Sequence, residues 1–343
     1  ASRLSSLAKP GEILVNVDTC RQVEGQFECE YRETASVKGK TDPVEVHKVL
    51  FQRDRPLTIR RLSGLRADLV GRDVEMAELS EAVDNLRQGR GKIFSICGAA
   101  GTGKSRLVEE FKAGLDLEQI QWIEGHAYAY SQNIPYFPLV DLLNRLLRIE
   151  EKDDSEKVRG KVESGLGSLV SSPQDVIPYV GHLYSLSYPE AEDISPEHWK
   201  SRLQTAVLTI LSAVANRAPT VFFLEDLHWA APAFVELLRR ACIEIRQPAI
   251  VLCAYRPTFS LFTGHQIGSI GKYYHEIQLQ NLSLSVAQNM LASLLKTENI
   301  PPDLKQWVNS KAEGNPFYLE ELVNSLIESD TLTRDNGSWK LTR

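Results

Sequence analysis

No apolar run in this chain approaches the roughly 20 residues needed to cross a bilayer, so a membrane-spanning helix is not expected. The N-terminus lacks the pattern of a signal peptide. It also lacks an initiator methionine and starts in mid-pattern, as a piece of a longer polypeptide would. Five cysteines (Cys20, Cys29, Cys97, Cys242 and Cys253) form no CxxC pair, and no Cys/His cluster has zinc spacing. Cys97 and Cys253 fall in apolar, strand-like runs, where cysteine acts as a small hydrophobe; reduced buried thiols and a cytoplasmic location are the expectation. An excess of positive charge is missing as well. The net charge of −6 gives bulk electrostatics no pull toward nucleic acid or an anionic membrane, a local basic patch aside. Internal repeats and low-complexity segments are absent. What remains is an ordinary globular composition, 43% hydrophobic and 24% charged, in a length of 343 residues that suits two or three domains.

Three zones follow one another. Residues 1–51 are β-rich. Strand candidates lie at 12–17, 27–31 and 44–50, with turn residues Gly39 and Asp42-Pro43 between the last two. Residues 52–68 carry Arg53, Arg55, Arg60, Arg61 and Arg66 and read as a linker. Between 69 and 262, strand and helix patterns alternate. The strand candidates at 92–97, 121–125, 220–224 and 249–255 are continuous apolar runs, the pattern of parallel strands covered on both faces. Helical spacing appears at 104–112 and 232–245, so the fold class is α/β with a doubly wound parallel sheet. Residues 150–161 read as a polar surface loop. Residues 263–330 read as a helical lid, with helices at 286–295, 302–311 and 316–329. Residues 331–343 begin a further, winged-helix-like domain with a hairpin through Asn336-Gly337.

The strongest chemical signal is Gly98, Ala99, Ala100, Gly101, Thr102, Gly103, Lys104 and Ser105. It matches G-x-x-x-x-G-K-[ST] between an apolar strand and an amphipathic helix, the context a phosphate loop requires. Glycines let the backbone turn its N–H groups onto phosphate oxygens, and the following helix adds its positive dipole end. Lys104 is expected on the β/γ-phosphates, Ser105 on Mg²⁺, and Arg106 beside the nucleotide. A second signal is the strand at 220–224 running into Glu225 and Asp226. Adjacent carboxylates at a strand end suit a cation and an attacking water. Glu225 is assigned to the metal and Asp226 to the water, with the reverse order open. Arg256 directly follows the strand at 249–255, at the carboxyl edge of the sheet, where it suits either a γ-phosphate contact or solvent. His228 suits either a γ-phosphate sensor or a side chain packed beside Trp229.

Together these residues resemble the signal-transduction ATPases with numerous domains (STAND), a branch of the AAA-like P-loop NTPases. The resemblance spans 69–343. It is carried by Val70-Gly71-Arg72 (with Glu75 one place early and Met76 where the acid is usual), the phosphate loop, Glu225-Asp226-Leu227-His228-Trp229-Ala230, Arg256 and Glu313-Gly314-Asn315-Pro316-Phe317. It implies an ATP/ADP-binding switch with Mg²⁺. Val70, Gly71 and Arg72 would lie on the adenine side, Arg256 would act as sensor, and Pro316 would close over the base. Glu225 where Asp is commoner, Ala231 where an acid often follows, and Ala254 where a hydroxyl is often found depart from the pattern and bear on hydrolysis more than on binding.

Residues 1–51 resemble the C-terminal end of a class III adenylate/guanylate cyclase domain, through Ala1-Ser2-Arg3-Leu4, the run from Leu7 to Leu14, and the run from Val37 to Val46. By that resemblance Arg3 steadies the transition state and Lys38 contacts triphosphate. The metal-binding aspartates would lie upstream, so this chain is not expected to cyclise ATP. The expected partners are a nucleotide, the covalently attached cyclase domain, downstream domains and, as an open case, a second copy in a homo-oligomer. Neither a membrane nor direct nucleic-acid binding is expected.

Overall fold

The computed structural model describes residues 4, 8, 12–23, 27–35, 44–52, 65, 67–192, 194–245, 247–297, 299–335 and 338–341. They belong to two compact units, Ala1–Arg66 and Ala67–Arg343.

In the first unit, strands β1 (Ile13–Asn16), β2 (Phe27–Ala35) and β3 (Val44–Gln52) form an antiparallel sheet in the order β1-β3-β2. Helix α1 (Val17–Val23) packs on β1 and β3, with Cys20 buried and Val46 fully so. Glu12 ties the sheet together, accepting from Arg32 at 2.7 Å and Lys48 at 3.1 Å. The expected strands are present, β2 running four residues further than its apolar pattern. Arg3 and Lys38 lie outside the described residues, as do Asn336, Gly337 and residues 53–64 of the linker.

The second unit opens with α2 (Asp73–Arg87), β4 (Lys92–Gly98), α3 (Lys104–Ala113) and β5 (Gln121–His126). Helices α4 (Phe137–Leu147), α5 (Ser155–Leu169), α6 (Ile177–Gly181) and α7 (Pro196–Arg217) lead to β6 (Thr220–Glu225), α8 (Pro232–Glu244) and β7 (Ala249–Tyr255). Helix α9 (Gly264–Ile270) precedes β8 (Tyr274–Leu279), and α10 (Leu284–Leu295), α11 (Pro302–Ala312) and α12 (Pro316–Glu328) follow. A hairpin of β9 (Leu332–Asp335) and β10 (Ser338–Leu341) ends the unit, and Trp339 Nε1 donates to the Leu295 carbonyl at 2.9 Å. The large sheet is parallel throughout, in the order β5-β6-β7-β4-β8.

Alternation within β7 shows why these strands read as unbroken apolar runs. Ile250, Leu252 and Ala254 pack against α2 and α3, while Ala249, Val251, Cys253 and Tyr255 face the core of α4, α7 and α8. Both faces are covered, so both sets of side chains are apolar.

Two expectations are corrected. The 263–330 stretch is not helical throughout, because β8 joins the sheet beside β4. Its sequence, Tyr-His-Glu-Ile-Gln-Leu, alternates, since an edge strand covered on one face needs only Ile277 and Leu279 inside. Residues 150–161 are not simply a loop: α5 begins at Ser155. Asp154 caps it, accepting from the Lys157 amide at 2.9 Å, and Val162 and Leu166 bury one face at i, i+4 spacing. Among the described residues no helix is long and apolar enough to cross a membrane.

Leu252 is fully buried in a central strand. Leu252→Ala is therefore expected to cost about 2–5 kcal/mol, read as a lowered urea midpoint for the second unit; a loss below about 1 kcal/mol would contradict this account of the core.

Candidate nucleotide-binding site

The carboxyl edge of the parallel sheet collects the expected residues from three strands. β4 runs through residues 98–105 into α3, β6 ends at Glu225 with Asp226 next, and β7 ends just before Arg256. Gly101 and Gly103 have φ of +80° and +93°, which glycine adopts at little cost. At Gly98 a Cβ would lie 2.6 Å from Thr102 Oγ1 and 2.9 Å from the Leu279 carbonyl oxygen, so only glycine fits.

Every carbonyl from Gly98 to Gly103 is taken by a donor. Lys104 Nζ donates to Gly98 O and Ala99 O, both at 2.9 Å, and Thr102 Oγ1 also donates to Ala99 O at 3.0 Å. Asn315 Nδ2 donates to Ala100 O at 2.9 Å, and the Phe317 amide to Gly101 O at 3.2 Å. Arg72 Nη2 donates to Thr102 O at 3.1 Å, and the Leu107 amide to Gly103 O at 2.9 Å. The described peptides are all trans, so a carbonyl held to one side turns the next residue's N–H to the other. The amides of Gly101 and Gly103 thus face away from Asn315 and Arg72, while the Thr102 amide, turned away from Phe317, donates to Ala99 O at 3.4 Å. At the start of α3 such an arrangement suits an anion.

Ser105 Oγ donates to Glu225 Oε1 at 2.5 Å. A hydroxyl and a carboxylate at contact distance, beside a phosphate loop, are the hard oxygen donors that Mg²⁺ takes together with phosphate. Burial pushes the Glu225 carboxyl above its usual range; the Ser105 hydrogen bond and His126 oppose this, and Asp226 adds to it. A divalent cation would remove that penalty, so these residues fit the metal. Burial likewise pulls the Lys104 ammonium below its usual range, with Asp226 opposing and Arg256 reinforcing the shift. Asp226 adopts a left-handed backbone, φ 56°, which turns the chain out of β6 immediately after Glu225.

The other expected residues divide. Arg72 is buried, and its guanidinium is engaged by main chain and by Glu75: Nη2 also donates to Gln280 O at 2.6 Å, and Nη1 meets Glu75 at 3.3 Å. Gly71, at φ +66°, passes so close to α10 that a Cβ would lie 2.3 Å from Val286 Cγ1. Val70, partly buried, precedes it. Arg106 turns to Glu110 at 2.5 Å and to the Ala67 carbonyl at 3.5 Å, not to the phosphate loop. Arg256 lies 5.8 Å above the Trp229 ring. Pro316 is the first residue of α12, and its neighbours Asn315 and Phe317 are the ones that touch the loop. His228 packs on Trp229 with centroids 4.9 Å apart and sits 3.7 Å from Asp226; burial lowers its pKa, Asp226 opposing and Arg256 and Lys104 reinforcing.

Two residues of the site, His126 and Asp141, have no counterpart in the sequence reading. His126, at the end of β5, holds Asp141 at 3.0 Å with Nδ1 and lies 3.5 Å from Glu225 with Nε2. Burial would raise the Asp141 carboxyl, but the His126 hydrogen bond and Arg145 hold it below its usual range. A strand-end position was the signal for His126. Asp141 gave none, being set by the docking of α4. Asn315 was named only within the Gly314-Asn315-Pro316 run that opens a helix, not as a loop contact.

Arg72→Met is expected to leave the Thr102 and Gln280 carbonyls without their donor and to cost about 2–4 kcal/mol. Urea unfolding checks the value; wild-type stability would contradict the role assigned to this guanidinium.

The AAA ATPase domain family matches residues 68–252, more than half of the chain. An uncharacterized protein of Rhizobium meliloti (strain 1021), R02095, is 24% identical over 353 aligned positions, which cover 97% of this chain and 32% of that protein. The chain thus spans about a third of that relative's length. Among solved structures, the Aeropyrum pernix ORC1 protein in complex with DNA is similar at 14% identity and a TM-score of 0.45, over 81% of this chain and 64% of that one. Domain III of the Thermotoga maritima replication initiation protein DnaA is similar at 12% identity and a TM-score of 0.42, over 77% and 86%. With its parallel sheet, phosphate loop and acidic strand end, this chain belongs to the AAA ATPase domain family and is an AAA ATPase-like nucleotide-binding module.

Proposed function

We propose that this module binds ATP with Mg²⁺, hydrolyses it slowly, and acts as the STAND-class regulatory switch of a multidomain signalling protein whose output includes an attached adenylate/guanylate cyclase. The observation that carries the nucleotide reading is the 2.5 Å contact between Ser105 and Glu225 beside a loop whose carbonyls are all taken by donors. The cyclase reading rests on the resemblance of residues 1–51, with which a three-stranded antiparallel sheet is compatible.

In this reading the amides of Gly101 and Gly103 hold the phosphate oxygens, the Thr102 amide leaves the Ala99 carbonyl to join them, and Lys104 moves its ammonium from the Gly98 and Ala99 carbonyls onto them. Ser105 and Glu225 would hold Mg²⁺, which would supply charge neutralisation to the polyphosphate. Asp226, the next carboxylate along, orients the attacking water. Arg256 supplies a second cation toward the γ-phosphate from the end of β7. Val70, Gly71 and Pro316 border the base. Arg72 serves this site indirectly, by fixing the Thr102 peptide. Helices α10 to α12 would follow the nucleotide state, because Asn315 and Phe317 already bond the loop.

Isothermal titration with Mg-ATP tests the site. Lys104→Ala is expected to weaken binding about 10- to 100-fold, and unchanged binding would reject the assignment. Single-turnover hydrolysis tests the chemistry: Asp226→Asn is expected to slow phosphate release by about 10²- to 10⁴-fold. If wild-type protein binds Mg-ATP but releases no phosphate, the module is a nucleotide-stabilised scaffold, the alternative favoured by Glu225 and Ala231.

A further inference from the structure

One carboxamide joins the phosphate loop to the helices that follow the sheet. Asn315 Oδ1 accepts from the Phe317 amide at 3.1 Å and the Tyr318 amide at 3.3 Å, capping α12. Its Nδ2 donates to Ala100 O, in the loop 215 residues earlier. Next to it, the Phe317 amide donates to Gly101 O at 3.2 Å. The side chain is buried, and a Cβ on Gly101 would lie 2.5 Å from Asn315 Oδ1, so loop and cap are in direct contact. The turn that carries Asn315 is itself fixed: Leu282 N donates to Gly314 O at 2.7 Å, and Gly314, at φ +73°, leaves no room for a side chain against the Leu282 carbonyl.

A helix cap needs only an acceptor, and Ser, Asp and Asn serve comparably. The Nδ2 donor is superfluous to the cap, yet it is the atom that reaches the loop. We infer that Asn315 is a positioning residue for nucleotide binding. Its amide nitrogen holds the Ala100 carbonyl and thereby turns the Gly101 N–H toward the phosphate, while its amide oxygen makes the same geometry depend on α12 being seated. Displacing α12 would release the Ala100 and Gly101 carbonyls together. Nucleotide affinity and the seating of α12 are then two readings of one contact, each strengthening the other by the same factor. This inference rests on the loop being a phosphate site.

The test separates donor from cap. Asn315→Ser keeps a capping oxygen and adds no charge but lacks the carboxamide donor. Asn315→Asp keeps the cap and offers the Ala100 carbonyl only an acceptor. Asn315→Ala removes both functions. The expected result is that Ser and Asp variants stay folded, with a cooperative melt lowered by the lost Ala100 bond, yet bind Mg-ATP about tenfold or more weakly. Hydrogen exchange across residues 98–105 should be faster in both, with the Tyr318 amide unchanged. An Asn315→Ser protein with wild-type affinity and wild-type exchange across the loop, alongside a defective Asn315→Ala, would assign Asn315 to the cap alone and overturn the inference. If wild-type protein itself fails to bind nucleotide, the proposed function falls. Exchange across residues 98–105 in the Ser variant still decides whether Asn315 orders the loop.

Discussion

The site depends on peptide dipoles being fixed before any ligand arrives. A polyphosphate binds to amide hydrogens at a favourable cost only if those hydrogens already point at it, since ordering a loop of six residues costs roughly 1–2 kcal/mol per residue. Here the ordering is done from the opposite side, by donors that occupy the carbonyls. The donors come from distant parts of the chain: Arg72 before α2, Lys104 and Leu107 in α3, Asn315 and Phe317 at the start of α12. A loop held from so many directions transmits disturbances in any of them to the anion site.

The sheet provides the second constraint. Parallel strands place their carboxyl ends on one edge, and that edge sets β4, β6 and β7 side by side in the hydrogen-bonded order. Glu225 is brought to Ser105 because β6 lies one strand away from β4 across β7. Burial there pushes the Glu225 carboxyl upward and the Lys104 ammonium downward. Phosphate and a divalent cation at this edge would relieve both shifts.

Much of this was legible from sequence, for identifiable reasons. The phosphate loop is contiguous, and its glycines, lysine and serine have local roles. The strands at 92–97, 121–125, 220–224 and 249–255 announce themselves because burial on both faces forces continuous apolarity. β8 escaped because an edge strand alternates, and α5 escaped because its first turn is polar and only Val162 and Leu166 are fully buried. The Ser105–Glu225 contact joins residues 120 apart, and the Asn315–Ala100 contact residues 215 apart; neither spacing has a local signature. Arg72 has a role that the sequence did not announce: the family resemblance implies the adenine side for it, and its guanidinium donates to the Thr102 and Gln280 carbonyls. Arg106 is similar, its charge met by Glu110.

In the function proposed above, residues 98–105 form a preorganised anion site with the divalent cation at Ser105 and Glu225. A crystal structure of the protein with Mg²⁺ and a non-hydrolysable ATP analogue tests it most directly. The account requires phosphate density on the Gly101, Thr102 and Gly103 amides, Lys104 Nζ moved onto it, and a metal between the Ser105 hydroxyl and the Glu225 carboxylate. Nucleotide seated elsewhere on the molecule, with Lys104 still on the Gly98 and Ala99 carbonyls, would contradict it.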